Sequence, residues 1–142
     1  MNAEYADRFI REFHGAAPAE APDNQGRLLE IYAAVTHGDY ETFSDSLTDD
    51  IEMRISGMEP MNGRWKGRAA VVEAIKGNFA RVADQQPEVL SVISRGDTVA
   101  VLFREKGVLV GGEAYSVRCA QWFTFVDGRI VRIEQIAAPA AD

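Results

Sequence analysis

Two glutamines, Gln121 and Gln135, stand in β-rich sequence that is otherwise largely apolar. A buried amide must find hydrogen-bond partners. The pair therefore either satisfies itself and the backbone, or orients a polar ligand group inside an apolar cavity. Asp127-Gly128 divides the run from Ala114 to Ala137 into two arms, a strong hairpin signal because glycine takes positive φ at no steric cost. Alternation puts Tyr115, Val117, Cys119, Gln121, Phe123 and Phe125 on one face of the first arm. Ser116, Arg118, Ala120, Trp122 and Thr124 take the other face. A turn with a glycine bulge, looping through Val126-Asp127-Gly128, brings Val131, Ile133 and Gln135 onto the face of Gln121. A strict two-residue turn sends Gln135 to the opposite face.

Other candidates are scattered. Tyr32 is either a core aromatic or a hydroxyl donor into a cavity. Cys119 has no cation nearby in sequence to activate it and reads as a small buried apolar residue. His14 and His37 fall at helix ends, where a solvated or capping role is expected. Met53, Met58 and Met61 supply adaptable apolar lining. Glu59, on a loop with Pro60 and Gly63, is the carboxylate placed to reach a pocket mouth, with plain solvent exposure as the alternative. Arg104 points inward only if the parity of its strand shifts by one. Two histidines and one cysteine, without carboxylate–histidine spacing, make no metal set. No Gly-rich phosphate loop follows a strand, so no cofactor is expected.

Positioning these residues takes a sheet and several helices. Tyr5, Phe9 and Phe13 recur at helical spacing in residues 1–14, predicting an N-terminal helix that docks on the core, covers a cavity or reaches a partner. The Pro- and Ala-rich stretch 15–24 reads as a linker. Asp23 or Asn24 caps a helix running to about His37, with Leu28, Ile31, Tyr32 and Val35 buried and Gly38 closing it. Asp39 caps a short helix burying Tyr40, Phe43 and Leu47 and ending at Asp49-Asp50. A strand at 51–55 carries Met53 and Ile55 inward. Val71, Val72, Ile75, Phe79 and Val82 predict a third core helix, weakened by Gly77 at about 1 kcal/mol relative to alanine. Strands follow at 88–94 and 98–105, then the long hairpin. Helices first and antiparallel strands after make an α+β chain. Both faces of the hairpin carry large apolar groups. Helices cover one face, and a further layer, such as a second subunit, covers the other.

The 142 residues suit one domain. A net charge of −7 argues against nucleic-acid or anionic-membrane partners. No 18-residue apolar run exists, and Asn2, Glu4 and Asp7 are unlike a secretory signal. With a single cysteine, a reducing cytoplasmic location is expected.

Five pieces in order, Gly38-Asp39, Leu47-Thr-Asp-Asp-Ile51, Trp65-Lys-Gly-Arg-Ala-Ala-Val71, Gly96-Asp-Thr-Val-Ala-Val101 and Phe123-Thr-Phe-Val-Asp-Gly-Arg-Ile130, resemble the SnoaL-like branch of the nuclear-transport-factor-2-like superfamily. Ketosteroid isomerases, SnoaL-type polyketide cyclases and limonene-type epoxide hydrolases share that fold. The resemblance covers about residues 26–137. It implies a cone: a curved antiparallel sheet wrapped around about three helices, cystatin-like, with an apolar pocket between them and an extra N-terminal helix in this chain. It also implies a homodimer paired through the outer sheet face. The implied organisation is an arm and linker at 1–23, a cone domain at 24–137 and a frayed tail at 138–142.

Carried over residue by residue, the resemblance leaves the usual catalytic groups missing. The isomerase base falls on Ile55 and the acid donor on Gln121. The tyrosine donor matches Tyr32 if a one-residue loop difference is allowed. The epoxide hydrolase Arg-x-Asp falls on Cys119-Ala120-Gln121, with Gln135 opposite. SnoaL-type cyclases rely on a carboxylic acid, and the interior faces assigned above show none. Trp65 belongs to a motif that rims the pocket in relatives. The expected ligand set is therefore Tyr32, Met53, Ile55, Trp65, Phe79, Cys119, Gln121, Phe123 and Gln135 around a small apolar metabolite, with Tyr32 and Gln121 as the candidate polarising groups. Two functions fit: a cofactor-free isomerase, cyclase or dehydratase lacking the usual carboxylate, or a non-catalytic carrier or dimerisation module.

Overall fold

The computed structural model describes residues 3–16 and 23–140, the side chains of Ala3, Tyr5, His14, Gly15 and Ala16 excepted. Four helices and six strands follow in the order α1 (Ala3–Ala16), α2 (Asp23–Thr36), α3 (Tyr40–Asp45), β1 (Leu47–Ser56), β2 (Gly63–Lys66), α4 (Arg68–Ala80), β3 (Val82–Arg95), β4 (Thr98–Leu109), β5 (Ala114–Val126) and β6 (Arg129–Pro139). The strands form one curved, unclosed sheet in the order β2-β1-β6-β5-β4-β3. All neighbours pair antiparallel except β1 and β6, which run parallel. This is the α+β cone expected, with one parallel pair that sequence patterning had not assigned.

Helix ends follow local chemistry. Asp39 Oδ1 accepts the Thr42 N–H at 3.1 Å and starts α3. Gly38 takes φ 78° after α2, where its missing Cβ avoids the left-handed penalty. Of the expected linker, residues 15–16 belong to α1 and 23–24 to α2, while 17–22 lie outside the described residues. On α1, Ala6, Phe9 and Phe13 are buried. Phe9 packs on Tyr32 with ring centroids 4.7 Å apart and on Phe103 at 6.0 Å.

Several boundaries move. Leu47, Asp49 and Asp50 belong to β1 rather than to the short helix, because Ile130 N–H bonds Ser46 O at 2.8 Å and draws the chain into the sheet. β2, only four residues long, is a strand that the sequence pattern does not mark. Val82 begins β3, although its apolar spacing continued the helical stripe of α4. Pro87 sits inside β3, tolerated because β3 is an edge strand. β6 continues to Pro139, opposite Val117, where a frayed tail was expected.

The hairpin turn is a two-residue one, with Val126 opposite Arg129 and positive φ at both Asp127 (49°) and Gly128 (79°). On that register alone Gln135 would face outward. Phe125 pairs with Ile130 and Thr124 with Arg132, so Val131 is an extra residue in β6. That bulge flips the parity of everything beyond it and turns Gln135 inward. The bulge lies within the strand and not at the turn.

Candidate functional site

Strand register lays the inward side chains out as a lattice. One row runs Val92, Val101, Gln121, Gln135, Ile55 from β3 through β4, β5 and β6 to β1. The next row towards the far end holds Val89, Phe103, Cys119 and Ala137, and the one after it Pro87, Glu105, Val117 and Pro139. Helices α1, α2 and α4 cover this face and leave a cavity of about 140 Å³. Space of that order accepts a single aromatic ring.

Of the expected ligand set, Tyr32, Met53, Ile55 and Phe79 line the cavity from the helices and β1. Cys119, Gln121, Phe123 and Gln135 line it from the hairpin. Trp65 does not. It faces inward beside Met53, but its indole lies over Gly63, and it borders a separate groove with Glu52, Arg54 and Arg64. Met58 and Met61 reach the cavity, whereas Glu59 is exposed and accepts a hydrogen bond from Asn62 at 2.9 Å. His37 caps α2, its Nδ1 lying 2.6 Å from Ala33 O. The His14 side chain lies outside the described residues.

The polar lining forms a directed relay. Tyr32 donates its hydroxyl hydrogen to Gln121 Oε1 at 2.5 Å, Gln121 Nε2 donates to Gln135 Oε1 at 2.7 Å, and Gln135 Nε2 ends on Met58 Sδ at 3.3 Å. Tyr32 therefore spends its proton on Gln121 and offers a ligand only lone pairs. Each amide nitrogen carries a second N–H that the relay does not use. The two glutamines thus satisfy each other and line the cavity, which the two sequence readings had treated as alternatives.

The expectation of an interior without a carboxylate is overturned. Glu105 is only 6% exposed and lines the cavity from β4. Tyr115 donates to its Oε2 at 2.7 Å. Arg104, one residue earlier, points outward and pairs with Glu88 at 3.8 Å. The parity of β4 is unshifted, so the inward series Val99, Val101, Phe103 continues to Glu105. Alternation alone would have found it, but Ala100 and Leu102 made the opposite face equally apolar.

Gly107 makes the Tyr115–Glu105 contact possible. It stands between Gln85 on β3 and Tyr115 on β5. A Cβ there would meet the Tyr115 ring at 2.6 Å, so the ring lies across the bare backbone to reach the carboxylate. Burial, then the Glu105 charge, then the hydrogen bond to Glu105 raise the Tyr115 pKa, with Gln85 opposing. Burial pushes the Cys119 thiol up to about 12, with the Glu105 charge adding to it. Burial also raises the Tyr32 phenol, helped by Cys119. These three groups keep their protons at neutral pH. Among the described residues no group of three or more His, Cys, Asp or Glu is placed to hold a metal ion.

A cone of helices and curved sheet around a mostly apolar cavity, with a few convergent polar groups, defines a protein of the NTF2-like superfamily. The SnoaL-like domain matches residues 28–133, and the chain belongs to that family, one of small-molecule-binding or polyketide cyclase- and isomerase-type proteins. An NTF2-like protein of unknown function from Burkholderia pseudomallei is 22% identical, with 81% of this chain and 90% of that one covered at a TM-score of 0.70. One from Burkholderia xenovorans is 17% identical over 84% and 92% of the two chains, at 0.73. A protein provisionally classed as a SnoaL-like polyketide cyclase, from Jannaschia, is 17% identical over 85% and 91%, at 0.71. At these identities the likeness concerns the fold. No match was found among the curated proteins.

Proposed function

We propose that the protein binds a small, mostly apolar molecule of about one ring, oriented by the Gln121–Gln135 pair. The observation that carries this reading is the pair of amides opening on a cavity of about 140 Å³ whose other walls are chiefly aromatic and aliphatic. Filling such a space with a ring recovers dispersion contacts that a void forgoes. The unused amide N–H groups select a ligand with one hydrogen-bond acceptor. Chemistry of the cofactor-free isomerase, cyclase or dehydratase type is the enzyme form of this reading. A carrier is the non-catalytic form.

Calorimetric titration with phenol and with benzene tests it. Phenol is expected to bind more tightly than benzene, and Gln121→Leu with Gln135→Leu together to remove the difference, roughly fivefold to tenfold for one net hydrogen bond. Equal affinities, or none for either ring, contradict the reading.

A second copy of the chain is proposed to cover the outer sheet face. Ile93, Ala100 and Trp122 form one outer row, and Leu102, Ala120 and Ile136 the next. Ile93, Trp122 and Ile136 are exposed. Glu88, Arg104, Arg118 and Glu134 ring the patch with both signs of charge, so two copies related by a two-fold can match charge to charge. A cytoplasmic location is in keeping with the single cysteine, buried and free.

A further inference from the structure

A second concavity lies on the outer sheet face, at the β2 edge and apart from the inner cavity. Two cross-strand rows wall it. Lys66, Glu52 and Arg132 make one row, and Arg64, Arg54 and Glu134 the other. The backbone between the rows, at Trp65, Met53 and Ile133, floors a groove of about 310 Å³. Four cations against two carboxylates leave it with a net charge of +2, in a chain of 22 acidic and 15 basic side chains. Arg54 and Arg64 stand directly opposite each other, so their Cβ atoms are about 4.5–5.5 Å apart. Like charges so placed work against the strand pair. Lys66 is paired with Glu52 at 3.8 Å. Among the described residues, Arg54, Arg64 and Arg132 meet no carboxylate at ion-pair distance, although all three are exposed and free to turn.

We propose that this groove binds the phosphate group of a small phosphorylated molecule, clamped between Arg54 and Arg64, with Arg132 and Lys66 completing the charge balance. A guanidinium presents a planar fork that meets phosphate oxygens two bonds at a time. Two forks from facing strands reach different oxygens of one phosphate. A phosphate monoester carries about −1.5 to −2 at neutral pH, which matches the groove, whereas a single carboxylate supplies half as much. With that anion between them, the two arginines attract a shared partner instead of repelling each other. The groove has more than twice the volume of the inner cavity, so it has room for the body that carries the phosphate. Glu52 and Glu134 line it as acceptors, which suits a hydroxyl-bearing body rather than an apolar one. The cationic patch spans three strands of a chain with net charge −7, so it suits a small solute and not a nucleic acid or an anionic membrane. What the inner cavity binds does not enter the argument.

The probe is glucose 6-phosphate, whose sugar is too polar for the inner cavity, titrated by calorimetry with glucose and potassium chloride as controls. At about 0.01 M ionic strength, where charges act over about 30 Å, the ester is expected to bind at about 1 mM or tighter and the controls not at all. Raising the salt to about 1 M should weaken the binding at least about tenfold. Arg54→Gln and Arg64→Gln should each weaken it about tenfold or more. Arg54→Lys, which keeps the charge and loses the fork, should still weaken it about threefold. Arg95→Gln, on the opposite edge of the sheet, should change nothing. Without ligand, Arg64→Gln should melt no lower than wild type, because it removes a like-charge pair. Amide NMR shifts on adding the ester should centre on β1 and β2. No binding by the wild-type protein, equal binding of glucose, binding that survives both glutamine variants, or shifts centred on the inner cavity each overturn the proposal. An Arg64→Gln protein that melts well below wild type overturns it too, by making the arginine a support of the sheet. None of these results bears on the inner cavity, whose phenol titration stands apart.

Discussion

Gly107→Ala is the sharpest test of how the far end of the cavity is built. The position does not need positive φ, so the cost of a side chain is steric. The new Cβ would lie 2.3 Å from the Asp84 carbonyl oxygen and 2.6 Å from both Cε1 and Cζ of Tyr115. Backbone and ring must both give way. Overpacking of this kind costs about 1–3 kcal/mol. Displacing the Tyr115 hydroxyl from the Glu105 carboxylate adds about 1.5–3 kcal/mol, the range for a hydrogen bond to a charged group. Together the loss is about 2.5–6 kcal/mol, a large part of a small domain's stability. Urea unfolding should show a lower midpoint with unchanged slope. Repeating the substitution on Tyr115→Ala separates the two clashes: the ring contact is gone while the Asp84 contact remains. The coupling between Gly107 and Tyr115 should be about 1.5–3 kcal/mol. A loss below about 1 kcal/mol, or no coupling, refutes the view that this glycine exists to seat the tyrosine on Glu105.

Other expectations follow from single contacts. Tyr32→Phe leaves Gln121 Oε1 without its donor inside the core and should destabilise by about 1–3 kcal/mol in urea; a change under about 0.3 kcal/mol argues against the relay. Gln25 is fully buried at the start of α2, and neither of its amide atoms has a partner among the described residues, so Gln25→Leu should stabilise by about 1–3 kcal/mol in thermal melts. In the folded chain Cys119 holds its proton up to about 12, against an ordinary 9.0. Its contribution is therefore complete below pH 9 and is lost as pH rises towards 12, at about 1.4 kcal/mol per pH unit, with Tyr32 and Tyr115 adding to the fall above pH 10. Stability that is flat from pH 9 to 11 contradicts this. Trp122→Glu should turn a sedimenting dimer into a monomer, and a wild-type protein that sediments as a monomer removes the outer-face reading.

The cone was legible in the sequence because its signals are local and independent. Asp39 and Gly38 announce the end of α2 and the start of α3, and Asp127-Gly128 announces the hairpin. Strict alternation fixed the face of Gln121. The face of Gln135 depended on one extra residue, Val131, and no periodicity reveals a bulge in the middle of an apolar strand. Glu105 was missed for a related reason. Parity is read from contrast between faces, and β4 has Val99, Val101 and Phe103 on one side but Ala100 and Leu102 on the other. Sheets apolar on both sides conceal which polar residue faces in. Trp65 erred the other way: its side chain does face inward, yet β2 stands at the sheet edge, beyond the cavity.

Crystals of the protein soaked in phenol would decide the central matter directly. The ring should lie between α2 and the inner face of β5, with its oxygen about 2.7–3.2 Å from an amide nitrogen of Gln121 or Gln135. A ring bound only on the outer sheet face, or an interior that repacks around the two glutamines and admits nothing, would contradict the account.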